Sequence, residues 1–454
     1  MTTQRTRERR ATVISSLDEK YVANAVAFAA LHAAATLIVD GDGLRRPDGT
    51  VDRRGFRARI EALTWFAPEM RQRLVRTPLG LSAPAWVPVP TLDMNYHVRF
   101  HDGIEADDPG RADLLAGRLS PVMDMTRPLW DFDVIDLDSQ RIAIVFRWHH
   151  VMGDAMFGMR IGEVITATSP SAPPRRAGET EVSALGAAPR TGIGVLLAVQ
   201  RQWRAQHPGT RAAWRAYWRK PLRKRIRRWG GRLLRPAKDL YIARTGVAER
   251  VIGTRSSAYA VLDAAAVTET ARRLGGSVND LTVAAALRAT ALQRPDADEI
   301  SIIVPFSRRK TAGERNAVGV VTVTVASGAE LADIVASVRT QVQAAVRGGS
   351  PARAAPRAPV GYATAVSWGR TRRFFDSALV DVIAGWPAGD PTNDLACLAC
   401  VCGPSFVISA TIRDSFDIAA FMDSVRTSLG GSDAPALSRG GAPATTKPSK
   451  EVAA

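Results

Sequence analysis

"RIAIVFRWHHVMGDAMFGMRIGEVI", residues 141–165, decides how the chain is read. Its first eight residues, Arg141–Trp148, are rich in β-branched and aromatic types, the composition of a strand. From Gly153 onward the stretch turns helical, with Asp154 placed to cap the first turn. Between strand and helix stand His149 and His150, two of only six histidines in the chain. Adjacent residues at a strand end point to opposite faces, so one imidazole can face a cavity while the other packs behind it. Residue types alone leave three readings open. The site transfers protons through a His–Asp arrangement, binds a metal, or is a polar turn whose aspartate only caps a helix.

The surrounding chain narrows the choice. At 454 residues it exceeds a single core, so two domains are expected. A hydrophobic fraction of 46% with 23% charged residues describes a globular protein. The net charge of +17, from 61 basic and 44 acidic residues, calls for an anionic partner. Three cysteines confined to "LACLACVCG" cannot form a disulfide framework. They read as part of a buried apolar strand and fit a reducing cytosol. His150 and Asp154 have no companion cluster of His, Cys or carboxylates, so no metal is expected. The basic N-terminus is not followed by an apolar signal core. Tyr21–Val39 carries no charge, but its alanine content reads as a helix running into a strand, "ATLIV", better than as a membrane span.

Composition divides the chain into a basic flexible N-terminus (1–12), a first α/β block (13–185), a basic Trp-rich crossover (186–249), a second α/β block (250–429) and a disordered tail (430–454). The first block includes a helical pattern in "FRARIEALTWFAPEMRQRLV", residues 56–75. The second carries the helix "VNDLTVAAALRATAL" and the strand "EISIIVPFS". Arg201–Lys238 holds fourteen Lys or Arg and no Asp or Glu, interleaved with Trp203, Trp214, Tyr217, Trp218 and Trp229. An exposed inter-domain helix, docking to a membrane surface and contact with nucleic-acid phosphates all suit that pattern. No nucleic-acid module accompanies it, so nucleic acid is not an expected partner. No G-x-S-x-G elbow, H-E-x-x-H, Walker loop or dinucleotide glycine pattern occurs.

The order of further motifs resembles the bacterial wax ester synthase/diacylglycerol acyltransferase family, whose hallmark is HHxxxDG. Here it stands as His149-His150-Val151-Met152-Gly153-Asp154-Ala155. "RPLWDFDVID" is similar to the family's PLW motif, at Pro128, Leu129 and Trp130. "SSLDEKYV", "PEMRQRLV", "PAWVPVP" and "DMNYHVR" precede it, and "SVNDLTVAAALRA", with Asn279-Asp280, "IIVPFSRR" and "ERNAVGVV" follow in order. The resemblance covers about residues 14–428. Two departures stand out. Ala155 replaces the hallmark's last glycine, and the family's Ser-Asn-Val-Pro-Gly-Pro stretch has no counterpart near Val382–Asp394.

The resemblance implies two chloramphenicol acetyltransferase-like α/β domains, each a mixed sheet with flanking helices, around an active-site tunnel. It implies a cytoplasmic acyltransferase, peripheral to the inner membrane or lipid droplets. That enzyme would move a long-chain acyl group from acyl-CoA to diacylglycerol or a fatty alcohol. Acyl-CoA is then a co-substrate and no cofactor is expected. His150 would be the general base, His149 its supporting neighbour and Asp154 an orienting group. Asn279 would support the oxyanion or acyl donor from the second domain. Asp280 would be structural, and Pro128-Leu129-Trp130 would shape core and tunnel. Arg201–Lys238 would meet the membrane or lipid-droplet surface. Two alternatives remain: a condensation-type acyltransferase using another alcohol or an amine, and a weak or inactive member acting as a lipid-surface protein.

Overall fold

In a computed structural model, the structure describes residues 12–14, 18–22, 31–76, 84–102, 108, 110–170, 192–197, 221, 223, 254–309, 314–348, 358–388 and 393–431. Nearly all of Arg201–Lys238, most of the 1–12 segment and nearly all of the tail lie outside these residues, and so do the expectations for them. The strands of the first half are β1 (Thr12–Val13), β2 (His32–Asp40), β3 (Gln72–Val75), β4 (Ala85–Pro88), β5 (Val98–His101), β6 (Trp130–Asp136) and β7 (Arg141–His149). The second half contributes β8 (Arg255–Asp263), β9 (Glu299–Ser307), β10 (Val318–Ala326), β11 (Gly361–Ser367), β12 (Arg373–Phe375), β13 (Ala378–Trp386), β14 (Leu395–Cys402) and β15 (Ser405–Arg413). The longer helices are α1 (Arg53–Leu63), α2 (Ala155–Ile165), α3 (Ala264–Arg273), α4 (Val278–Leu292), α5 (Leu331–Val346) and α6 (Ile418–Ser428).

Two six-stranded mixed sheets carry the structure, ordered β12-β13-β2-β7-β6-β5 and β10-β9-β11-β14-β15-β8. The helix and strand expected at 278–292 and 299–307 form with those bounds. α4 begins with a full capping box between Ser277 and Asp280, and its middle is buried all round, as a helix lying between a sheet and other helices must be. The cysteine strand is β14, with Cys397 and Cys400 buried and burial pushing both thiols up to about 12. Two local readings change. The helical pattern of 56–75 ends at Leu63, because Pro68 forces Ala67 out of the helical region, and Gln72–Val75 becomes a strand. The strand read as "ATLIV" starts earlier, at His32, where pairing to β7 overrides the helix preference of alanine.

The block division hides a crossing. β12 and β13 belong by position to the second half, yet β13 pairs antiparallel with β2 and completes the first sheet. Trp386, at the end of β13, donates its indole N–H to Thr36 Oγ1 at 2.9 Å. β13 also lies against β14 and β15. A Cβ on Gly385 would sit 2.5 Å from the Leu398 side chain and 3.1 Å from Cys400 Sγ, so this close approach requires glycine.

One face of the first sheet carries an aromatic row, Trp130, Phe132, Phe146 and Trp148, with successive ring centroids 5.7, 4.9 and 5.2 Å apart. His97 stacks on Trp130 at 4.2 Å and its Nδ1–H donates to the Trp130 carbonyl at 2.7 Å. Burial lowers the His97 pKa from 6.5 to about 4. The folded state therefore resists a proton that the unfolded chain accepts. This contribution is intact above pH 6.5 and is lost as pH falls towards 4, by roughly 3 kcal/mol at about 1.4 kcal/mol per pH unit. Thermal melts of wild type and His97→Gln between pH 7 and 4 should show the variant losing less stability on acidification. Parallel curves would refute this assignment.

Candidate active site

The turn between β7 and α2 is shaped by its neighbours on both sides. Trp148, next to last in the strand, donates its indole N–H to the Gly153 carbonyl at 3.1 Å, which ties the aromatic row to the turn. The strand continues one residue past Trp148, so His149 pairs with His32. Its backbone N–H donates to Leu129 O at 3.0 Å. The His149 ring is wholly buried and its Nδ1 accepts the Val151 N–H at 3.0 Å. That bond leaves the proton on Nε2 and commits the ring to holding the turn.

His150 lies at the start of the turn, with its backbone N–H on Leu31 O at 2.8 Å. Its ring is tilted against Tyr21 at 4.6 Å. Burial lowers the His150 pKa below 6.5, so the imidazole is neutral at physiological pH. A neutral imidazole is the form able to take a proton.

Asp154 is the N-cap of α2, accepting the Phe157 N–H at 3.1 Å. It is also a seam between the halves. Arg309 Nη2 straddles both carboxylate oxygens at 2.7 and 2.9 Å, and the Ala317 N–H adds a third donor at 3.0 Å. The Asp154 backbone N–H donates in turn to Arg315 O at 3.1 Å. With its oxygens occupied by an arginine and two amides, this carboxylate is arranged to hold structure.

The residues 314–317 thus clasp the histidine turn from the second half. Arg309 Nη1 donates to Glu314 O. The Arg315 guanidinium packs over Trp86 at 4.4 Å and donates to Gln72, and burial lowers its pKa to about 10. Asn316 Nδ2 donates to the His150 carbonyl at 3.0 Å and to Asp18 Oδ1 at 2.7 Å. Asp18, Tyr21, Arg309 and Asn316 were not among the expected site residues. Their segments, "SSLDEKYV", "IIVPFSRR" and "ERNAVGVV", stood out as motifs, but partners 155 to 298 positions apart in sequence leave no spacing to read.

The remaining expected residues fall into two groups. Pro128, Leu129 and Trp130 are buried beside the turn, Leu129 through its bond to His149 and Trp130 through an indole N–H on Met70 O at 2.6 Å. Asn279 and Asp280 make their hydrogen bonds within the second half. Asn279 Oδ1 accepts from Ala365 N at 2.8 Å and Thr364 Oγ1 at 3.3 Å, which pins α4 to β11. Asp280 Oδ2 accepts from the Ser277 N–H at 2.9 Å and closes the capping box.

Ala155 is the first residue of α2, has no positive φ and is exposed. The hallmark's missing glycine therefore imposes neither backbone strain nor crowding. Gly153 is different, since a Cβ there would sit 2.2 Å from the Phe157 side chain. Ala155→Gly should lower stability by about 1 kcal/mol or less and leave turnover within about twofold. A large gain in turnover on reversion would show that the methyl obstructs the reaction.

The fold and this turn place the chain among two-domain α/β proteins with an HHxxxD turn at the domain seam. The sequence model of the wax ester synthase/diacylglycerol acyltransferase catalytic domain matches residues 15–282, more than half of the chain. The chain belongs to this family. A provisionally named diacylglycerol O-acyltransferase of Mycobacterium tuberculosis H37Rv is 30% identical over 124 residues, covering 26% of this chain and 24% of that protein. A second from the same strain is 29% identical over 133 residues, 28% and 26% of the two chains. The chain thus matches about a quarter of the length of these relatives. The solved wax ester synthase/diacylglycerol acyltransferase from Marinobacter aquaeolei VT8 superposes with a TM-score of 0.57 at 15% identity, over 92% of this chain and 98% of that one. The first condensation domain of the calcium-dependent antibiotic synthetase gives 0.56 at 15%, over 92% and 95%. Likeness at that identity establishes the two-domain chloramphenicol acetyltransferase-like fold.

Proposed function

We propose that this chain is an acyl-CoA-dependent O-acyltransferase that moves a long-chain acyl group to diacylglycerol or a fatty alcohol. The observation that carries the reading is the family match across the turn that holds a neutral, half-buried His150. His150 Nε2 takes the acceptor hydroxyl's proton as the oxygen attacks the thioester carbonyl. The C–S bond then breaks, and the departing CoA thiolate takes the proton from the imidazolium. No covalent enzyme intermediate is needed, because the thioester is already activated. Asp154 keeps turn, helix and second domain in register. Asn279, whose carboxamide oxygen is held by β11, presents its NH2 as a donor for the acyl group or the oxyanion.

No helix among the described residues is long and apolar enough to cross a membrane. In this reading the enzyme meets its insoluble acceptor at a membrane or lipid-droplet surface through Arg201–Lys238. The test is a purified-protein assay with a radiolabelled long-chain acyl-CoA against diacylglycerol and hexadecanol. Ester product with either acceptor supports the reading, and none with both sinks it.

A further inference from the structure

The His150 ring carries an unsolved accounting problem. Its Nδ1 is buried and has no hydrogen-bond partner among the described residues, a costly state whichever nitrogen of the neutral ring carries the proton. Across the domain seam, Asn316 Oδ1 is also buried and without a partner among the described residues. Two atoms without partners sit at one junction.

The orientation of Asn316 is forced. Its Nδ2 donates to two acceptors, the His150 carbonyl at 3.0 Å and the Asp18 carboxylate at 2.7 Å. A flipped amide would turn its oxygen onto both acceptors and forfeit both bonds. Oδ1 must therefore point away from them, and it cannot be relieved by rotation. Asp18 is itself buried, on the short helix Asp18–Tyr21 whose Tyr21 ring covers His150. Three segments distant in sequence thereby fix one carboxamide against the candidate base.

We propose that Asn316 is the positioning residue of His150: Oδ1 receives the Nδ1–H and fixes Nε2 as the atom that takes the acceptor's proton. Asp18 holds Asn316 in that pose. The bond tightens when His150 becomes an imidazolium, since both ring nitrogens then donate and Nδ1 needs an acceptor most. Catalytic hydrogen bonds of this kind are often loose before substrate binds. The ring's own backbone carbonyl and the Asp154 and Asp18 carboxylates facing it favour the protonated ring, and Asn316 adds to them, while the Tyr21 phenol packs on its face. Because Asn316 belongs to the second half, the base is complete only when the two halves are clasped.

This inference rests on His150 as the base, so its test separates the two. Full-length protein labelled at histidine nitrogen and carbon would be titrated by NMR, with the His150 signals assigned through His150→Ala. Wild type should show the Nδ1–H tautomer. Asn316→Ala should shift population to Nε2–H and lower kcat about ten- to a hundredfold, leaving KM for acyl-CoA within about twofold. Asn316→Asp, which gives up the two Nδ2 bonds but sets a carboxylate beside the ring, should raise the His150 pKa by one pH unit or more and move the acid limb of the kcat profile upward equally. An unchanged tautomer in Asn316→Ala together with an unmoved His150 pKa in Asn316→Asp would overturn the proposal. If His150→Ala keeps full activity, the base reading falls, while the tautomer measurement still decides whether Asn316 orients the ring.

Discussion

His150→Ala should reduce acyl transfer by about a hundred- to ten-thousandfold while leaving the fold intact. The size follows from what the residue supplies. A positioned base lowers the barrier to deprotonating an alcohol whose own pKa lies far above physiological pH. In the proposed reaction, binding and orientation of the two substrates survive the loss of that base. The expected loss falls on kcat more than on KM, because the ring acts on the proton in transit. In wild type, activity should fall as pH drops through a value below 6.5, since burial depresses the His150 pKa and only the neutral ring is a base. Equal product from wild type and His150→Ala would defeat the assignment. His149→Ala is a different case, because its Nδ1 holds the Val151 amide and its loss loosens the turn.

The second large effect belongs to the seam between Asp154 and Arg309. The pair is largely buried, with side-chain exposures of 5% and 16%. Replacing Arg309 by Met leaves the Asp154 carboxylate with two backbone donors but no countercharge. Breaking such a pair from one side costs about 3–5 kcal/mol. Asp154→Ala strands the guanidinium and also removes the α2 cap, worth about 1 kcal/mol more. Both variants should lower the melting temperature by several degrees and reduce activity, because residues 314–317 help hold the turn that carries His150. Arg309→Met/Asp154→Leu should recover part of the stability, as removing both charges avoids an unpaired one, yet should stay poorly active. A double variant no more stable than either single one would show that the pair is not coupled as described.

Much of this arrangement was legible in the residues. The strand-turn-helix around His149 and His150 follows from apolar patterning and one capping aspartate, and the α4 and β9 bounds follow from their punctuation. The family's fold followed from the order of motifs. What could not be read was long-range. Nothing in "ERNAVGVV" announces that Asn316 meets Asp18, and nothing in Ala378–Trp386 announces which sheet its strand will join. Alternation shows that a segment pairs, and the partner is chosen by tertiary packing. The alanines before "TLIV" misled for the same reason, since helix propensity is worth tenths of a kcal/mol per residue against a complete ladder with β7.

The strand exchange between halves has a consequence for how the chain is born. Until β13 arrives, β2 is the outer strand of the first sheet, a nine-residue run that is mostly apolar. β13 ends at Trp386, so at roughly 5–20 residues per second the ribosome leaves that edge uncovered for tens of seconds. An open apolar edge invites pairing with other nascent chains. Expression of the first half alone should therefore yield aggregates, and co-expression of the missing piece should rescue solubility. Yield of the intact chain should respond to chaperone supply and lower growth temperature more than to substitutions around the histidine turn.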